Sequence, residues 1–184
     1  MELNDVDIEV LSTLGKFKCQ EDINAYNATT FNLPNLQEAR DIHAENATTF
    51  NLPNLQQSGD INAENATTVN LPNLQQSRSI YADNVTTLNL PNLQQSRSIY
   101  VVKATTLNLP NLQQSREINA LSATTVNLPK LQEARSIYTD NAKKIIIPSH
   151  LKAKLLNVPK DCEIIHPDLE GTPKLESFKT FFYK

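Results

Sequence analysis

One isoleucine fixes the period of this chain: Ile23, Ile42, Ile61, Ile80, Ile99, Ile118 and Ile137 each stand nineteen residues after the last. Proline keeps the same step from Pro34 to Pro148, and seven of the ten prolines fall on that one position. Six coils share a Thr-Thr pair, from Thr29-Thr30 to Thr124-Thr125, and no insertion breaks the register between Asp22 and Lys154. A fixed period of this length means a stack of equivalent units, because one unit cannot bury its apolar edge alone and its neighbours must cover it.

The unit Ser79–Arg97 holds two alternating segments. In Ile80-Tyr81-Ala82 the first and third residues are apolar, and in Thr87-Leu88-Asn89-Leu90 the leucines share one side. Alternation with period two marks half-buried strands. Pro91 ends the second strand, since proline cannot donate to a ladder. Leu93 and Ser96 continue the inward set around the far side. Nineteen residues with two strands leave little room for a helix. The expectation is an all-β, single-domain solenoid of about seven stacked coils, with successive coils about 4.8 Å apart and the stack roughly 34 Å long.

Reading one position through every coil separates structure from surface. The column Phe31, Phe50, Val69, Leu88, Leu107, Val126, Ile145 varies only among apolar residues, and another holds only Ala or Ser, from Ala39 to Ala153. These columns are core. In the seventh coil Lys143-Lys144 replaces Thr-Thr and His150 takes the leucine place. The ends of an open stack need covers for bare core and strand edges. Residues 1–21 are therefore read as an N-terminal cap, 22–154 as the solenoid and 155–184 as a C-terminal cap and tail. The aromatic end, Phe178 to Tyr183, is expected to cover the last coil, with self-association as the alternative.

The stretch Thr87-Leu88-Asn89-Leu90-Pro91-Asn92-Leu93 followed by Ser98-Ile99-Tyr100 resembles the bacterial leucine-rich repeats of treponemal and BspA-like surface proteins, in a shortened form. The resemblance covers about three quarters of the chain. It implies an interaction scaffold, a role such proteins often serve at the cell surface.

Catalysis needs polar groups converging in a pocket, and nothing in the repeat pattern provides them. The three histidines, His43, His150 and His166, lie in different regions without a cysteine set, so no metal is expected, and the scattered glycines exclude a phosphate loop. No cofactor is implied and no enzyme is expected. The two cysteines, Cys19 and Cys162, are too few for a disulfide framework. The opening residues carry acids rather than an apolar leader, and no stretch is long enough to span a membrane, so a cytoplasmic protein without membrane insertion is expected. A net charge of −3 argues against general affinity for nucleic acid. The Asn-x-Thr sequons at Asn27, Asn46, Asn65 and Asn84 follow from the repeat itself.

Function is then sought where the coils disagree or where outward columns run unbroken. Tyr81 and Tyr100 neighbour each other in the stack, with Val102 and Leu121 beside them and Tyr138 further along. Such a mixed aromatic and apolar patch suits a protein partner, though tyrosine pairs across coils also stabilise sheets. A second column reads Arg40, Gly59, Arg78, Arg97, Arg116, Arg135, Lys154 at an expected corner. It suits an acidic protein or a polyanion, or else a solvated edge that discourages aggregation. The third surface is the Thr-x-Asn array from Thr30 with Asn32 to Thr125 with Asn127, a flat face that would suit ice. The leading expectation is a non-catalytic module that binds a protein through one solenoid face, with ice binding and polyanion binding as the alternatives.

Overall fold

The computed structural model describes residues 1–169. It is a β-solenoid of about eight turns, with parallel strands stacked coil on coil and one short helix. From Gln57 onward every coil repeats two elements, whereas the coil before splits the longer one into Leu36–Ala39 and Ile42–His43. One is the three-residue strand of the Thr-x-Asn segment, such as Thr87–Asn89, and the other is a six-residue strand, such as Gln95–Tyr100. The second strand begins earlier than the Ile-Tyr-Ala alternation predicts, because it takes in the Gln-Ser-Arg residues before the isoleucine.

That longer strand carries an irregularity at its third residue. Its ladder pairs Gln95 with Gln114, Ser96 with Ser115, then skips to Ser98 with Glu117, so Arg97 stands outside the regular pairing. The Ser96 hydroxyl donates to the Ser98 carbonyl at 3.1 Å, and Ser77 and Ser115 do the same to Ser79 and Glu117. The same skip occurs at Arg135 and Lys154, where Ala134 and Ala153 carry no hydroxyl, so the serine bonds accompany the irregularity and the small inward residue before it is the common factor. The arginine therefore stands outside the ladder in each of these coils.

The interior is a set of columns. The isoleucine, alanine and leucine positions are fully buried in coil after coil, and the Phe31 and Phe50 rings, tilted by 32°, pack with centroids 5.1 Å apart. Each buried aliphatic side chain stabilises by about 1.5–3 kcal/mol relative to exposure. The turns are held by asparagine ladders. The Asn54, Asn73, Asn92 and Asn111 amides donate to the proline carbonyl of the coil before at 2.6–2.8 Å. Asn46, Asn84 and Asn141 bond backbone carbonyls of the preceding coil at the opposite turn. Where lysine interrupts a column, at Lys103 and Lys130, its ammonium donates to the preceding asparagine instead.

The ends differ. At the front, the helix Asp5–Ser12 lies on the first coil with Ile8 buried. Asn4 caps it by accepting from Val6 and Asp7, Asp7 returns the bond, and Asp5 accepts from Thr29. At the back, the ladder does not stop at Lys154. The strand Lys152–Asn157 pairs with Glu133–Tyr138, and Glu163–Ile165 pairs with Lys144–Ile146, completing an eighth turn in residues read from the sequence as cap. There His166 fills the buried leucine column and its ring nitrogen meets the Ile147 carbonyl at 2.9 Å. The expected aromatic cover, Phe178 to Tyr183, lies outside the described residues.

One discontinuity divides the Thr-x-Asn face. Its strands form a three-stranded sheet ending at Thr68–Asn70 and a five-stranded sheet beginning at Thr87–Asn89, with no pairing between them. Val69, smaller than the phenylalanines before it, is only partly buried, whereas Leu88 is fully buried.

Candidate functional site

The three surfaces singled out by the sequence have different geometries. On the Thr-x-Asn face the asparagine amides are spent on one another. Asn51 donates to Asn32, Asn70 to Asn51, Asn108 to Asn89 and Asn127 to Asn108, all at 2.6–2.7 Å. The discontinuity after Asn70 splits this face into two patches.

In the tyrosine patch, Tyr81 and Tyr100 lie parallel, 2° apart with centroids at 5.1 Å. Each covers one face of the other. Burial raises the Tyr100 hydroxyl above its ordinary value, and the nearby Glu117 carboxylate adds to this. Val102 and Leu121 are half-buried turn residues, and Tyr138 is separated from Tyr100 by Asn119. Among the described residues the most exposed apolar side chains lie elsewhere, at Val6 (68%) and Val10 (60%) on the helix.

The basic column is divided by its ion pairs. Arg40 lies 3.3 Å from Asp22. Arg78 bonds the Asp60 carboxylate at 2.6 and 2.7 Å and reaches Asp41 at 3.1 Å. The Arg78 hydrogen bond holds the Asp60 carboxyl below the ordinary aspartate value. Beyond that point, among the described residues, Arg97, Arg116, Arg135 and Lys154 have no acidic partner. Glu117 lies near Tyr100 instead.

The unpaired row forms the wall of an open trough of 780 Å³ that runs across the coils. Because residues two apart on a strand share a face, Gln95 stands beside Arg97 and Gln114 beside Arg116, over a floor of Ser96 and Ser115. In the last two coils the glutamine column continues as Glu133 and Lys152. On the other side of the arginines lies a smaller hollow of 400 Å³, bordered by Tyr100, Glu117 and Tyr138. The glutamine wall was not singled out from the sequence. The signal was present, since Gln-Ser-Arg repeats three times with polar residues at alternate positions.

Among the described residues no three of His, Cys, Asp and Glu lie together as a metal site would need, and no helix is long and apolar enough to cross a membrane. Cys19 and Cys162 are both free thiols. Compared with family models, curated proteins and solved structures, the chain matches none.

Proposed function

We propose that this chain is a non-catalytic binding module that holds an anionic partner along the arginine trough. The observation that carries the reading is the row Arg97, Arg116 and Arg135, three guanidinium groups one coil apart, none of them ion-paired among the described residues. Like charges at about 4.8 Å repel, and guanidinium stays charged at every physiological pH. A bound anion relieves that repulsion and gains charge-assisted hydrogen bonds. The tyrosine patch supports a contact surface less well, because its two central rings cover each other. The interaction-scaffold role implied by the likeness to bacterial leucine-rich repeats agrees with this reading.

The test uses the protein's own acidity. With a net charge of −3 the chain as a whole should pass through a carboxylate-bearing cation exchanger at pH 7. Retention that salt abolishes, and that is lost on replacing Arg97, Arg116 and Arg135 together with glutamine, is the expected result. Unretained wild-type protein would overturn the proposal.

A further inference from the structure

We infer that the hollow between Tyr100 and Tyr138 is a site for a small aromatic anion, its flat ring seated between the two tyrosines and its negative group on the neighbouring arginines. The site lies across the arginine row from the trough. It shares that row's charge with the anion-binding reading above and does not require the trough to be filled.

The selection for a ring comes from one missing member of a column. In-register pairing places Tyr81, Tyr100, Asn119 and Tyr138 one above another on successive coils. The first two rings lie parallel, 2° apart with centroids at 5.1 Å. Asn119 then interrupts the stack, so Tyr100 and Tyr138 stand two steps apart, roughly 9.6 Å. Both border the same hollow of 400 Å³. Tyr81 covers one face of Tyr100 and leaves the other toward the gap. A planar ring halfway across would have a tyrosine about 5 Å away on each side, inside the range of about 4.5–7 Å at which aromatic rings pair.

The amide at the gap is also left over. Asn62 and Asn157, at the same position in other coils, donate to Glu45 and Asp140 at 2.8 and 2.6 Å. For Asn119 the corresponding place is held by Val102, so its amide has no such acceptor, and its side-chain oxygen is buried without a hydrogen-bond partner. That leaves an amide N–H for an acceptor on the ring edge.

The anionic end follows from the rest of the lining. Arg97, Arg116 and Arg135 border the hollow as well as the trough, and none is ion-paired among the described residues. Glu117 lies between Asn119 and Arg116 on their strand. Its carboxylate repels the negative group from the ring slot toward the arginines, and it accepts from any hydroxyl between ring and anion. A nucleoside monophosphate carries such hydroxyls, and a simple aromatic phosphate shares the ring and the charge without them.

Calorimetry on the full chain at low salt tests the site and separates these sources. Adenosine monophosphate and naphthyl phosphate are the ring-bearing probes, ribose phosphate lacks the ring and adenosine lacks the charge. At least one ring-bearing phosphate is expected to bind roughly tenfold or more tighter than both controls, and the tighter of the two identifies the source. Asn119→Tyr fills the gap with the residue that neighbouring coils already carry. It should abolish that binding while the unfolding midpoint and retention on the cation exchanger stay as in the wild type. Tyr138→Leu, which removes one wall, should weaken binding as well. Arg116→Gln should weaken it roughly tenfold, through the loss of one charge-assisted contact. Ribose phosphate binding as tightly as the ring-bearing probes, or undiminished binding by Asn119→Tyr, would overturn the ring slot and leave the anion-binding reading standing. Failure of both ring-bearing probes on a protein that the exchanger retains would do the same. Ring-selective binding by a protein that the exchanger does not retain would support the slot and overturn only the trough.

Discussion

Arg78 reaches back thirty-seven positions to bond Asp41, two coils below it, as well as Asp60 in the coil between. The reach depends on the one break in the basic column. Gly59 stands where an arginine is expected, and a side chain there would overlap the Asp41 carboxylate and the Arg40 carbonyl. Asp41 also accepts from the Asp60 backbone at 2.7 Å, so one carboxylate ties three consecutive coils. A gap in the repeat that reads as a lost charge is thus the opening through which a later charge is neutralised.

The first prediction concerns acid stability. Asp60 has a lowered folded-state value because of Arg78. A depressed carboxyl stabilises the fold above its unfolded value, near 4, and that contribution is lost as pH falls through the lower folded value. Arg78 is half exposed, so the effect is about 1 kcal/mol at most after solvent screening. Arg78→Gln should lose about that much at pH 7 and progressively less below pH 4. Urea unfolding across that range measures it, and a difference that grows in acid would contradict the assignment.

The second prediction concerns Gly59. Gly59→Ala should destabilise by about 1–3 kcal/mol, because a methyl group there meets the Arg40 backbone carbonyl as well as the Asp41 carboxylate. Gly15 has nothing within 4 Å of an added carbon, so Gly15→Ala is the matched control and should change stability little. Thermal unfolding midpoints of the two variants separate the cases.

The third prediction concerns the divided Thr-x-Asn face. The Thr105 amide donates to Thr86 and the Leu90 amide to Asn108, but their counterparts across the discontinuity, Thr86 and Leu71, make no such bond to the neighbouring coil. Hydrogen exchange should therefore be faster at Thr86 and Leu71 than at Thr105 and Leu90. Equal protection at all four would mean that the two sheets are continuous in solution.

The fold was legible because the periodicity is written twice, in the buried columns and in the proline that ends each short strand. Less legible was anything that depends on contacts between coils. The skip in the ladder at the arginine follows a position held by Ala or Ser, and a small residue in an inward column reads simply as core. The eighth turn was hidden because Leu155-Leu156-Asn157 and Glu163-Ile164-Ile165 keep the strand spacing while losing the consensus residues. The helix Asp5–Ser12 occurs once, outside the repeat, so no second copy marked it. The arginines of the candidate site were visible as a column. Their division into paired and unpaired members was not, since it turns on side chains reaching across one and two coils.

Each middle coil contributes one guanidinium, one amide and one small residue to the trough, in a fixed register. On the binding reading proposed above, the molecule works as a ruler. Duplicating one nineteen-residue unit would lengthen the charged track by one step without changing what each step recognises, and deleting one would shorten it. In such a design selection can set the reach for a long ligand by counting coils, leaving the chemistry of each step untouched.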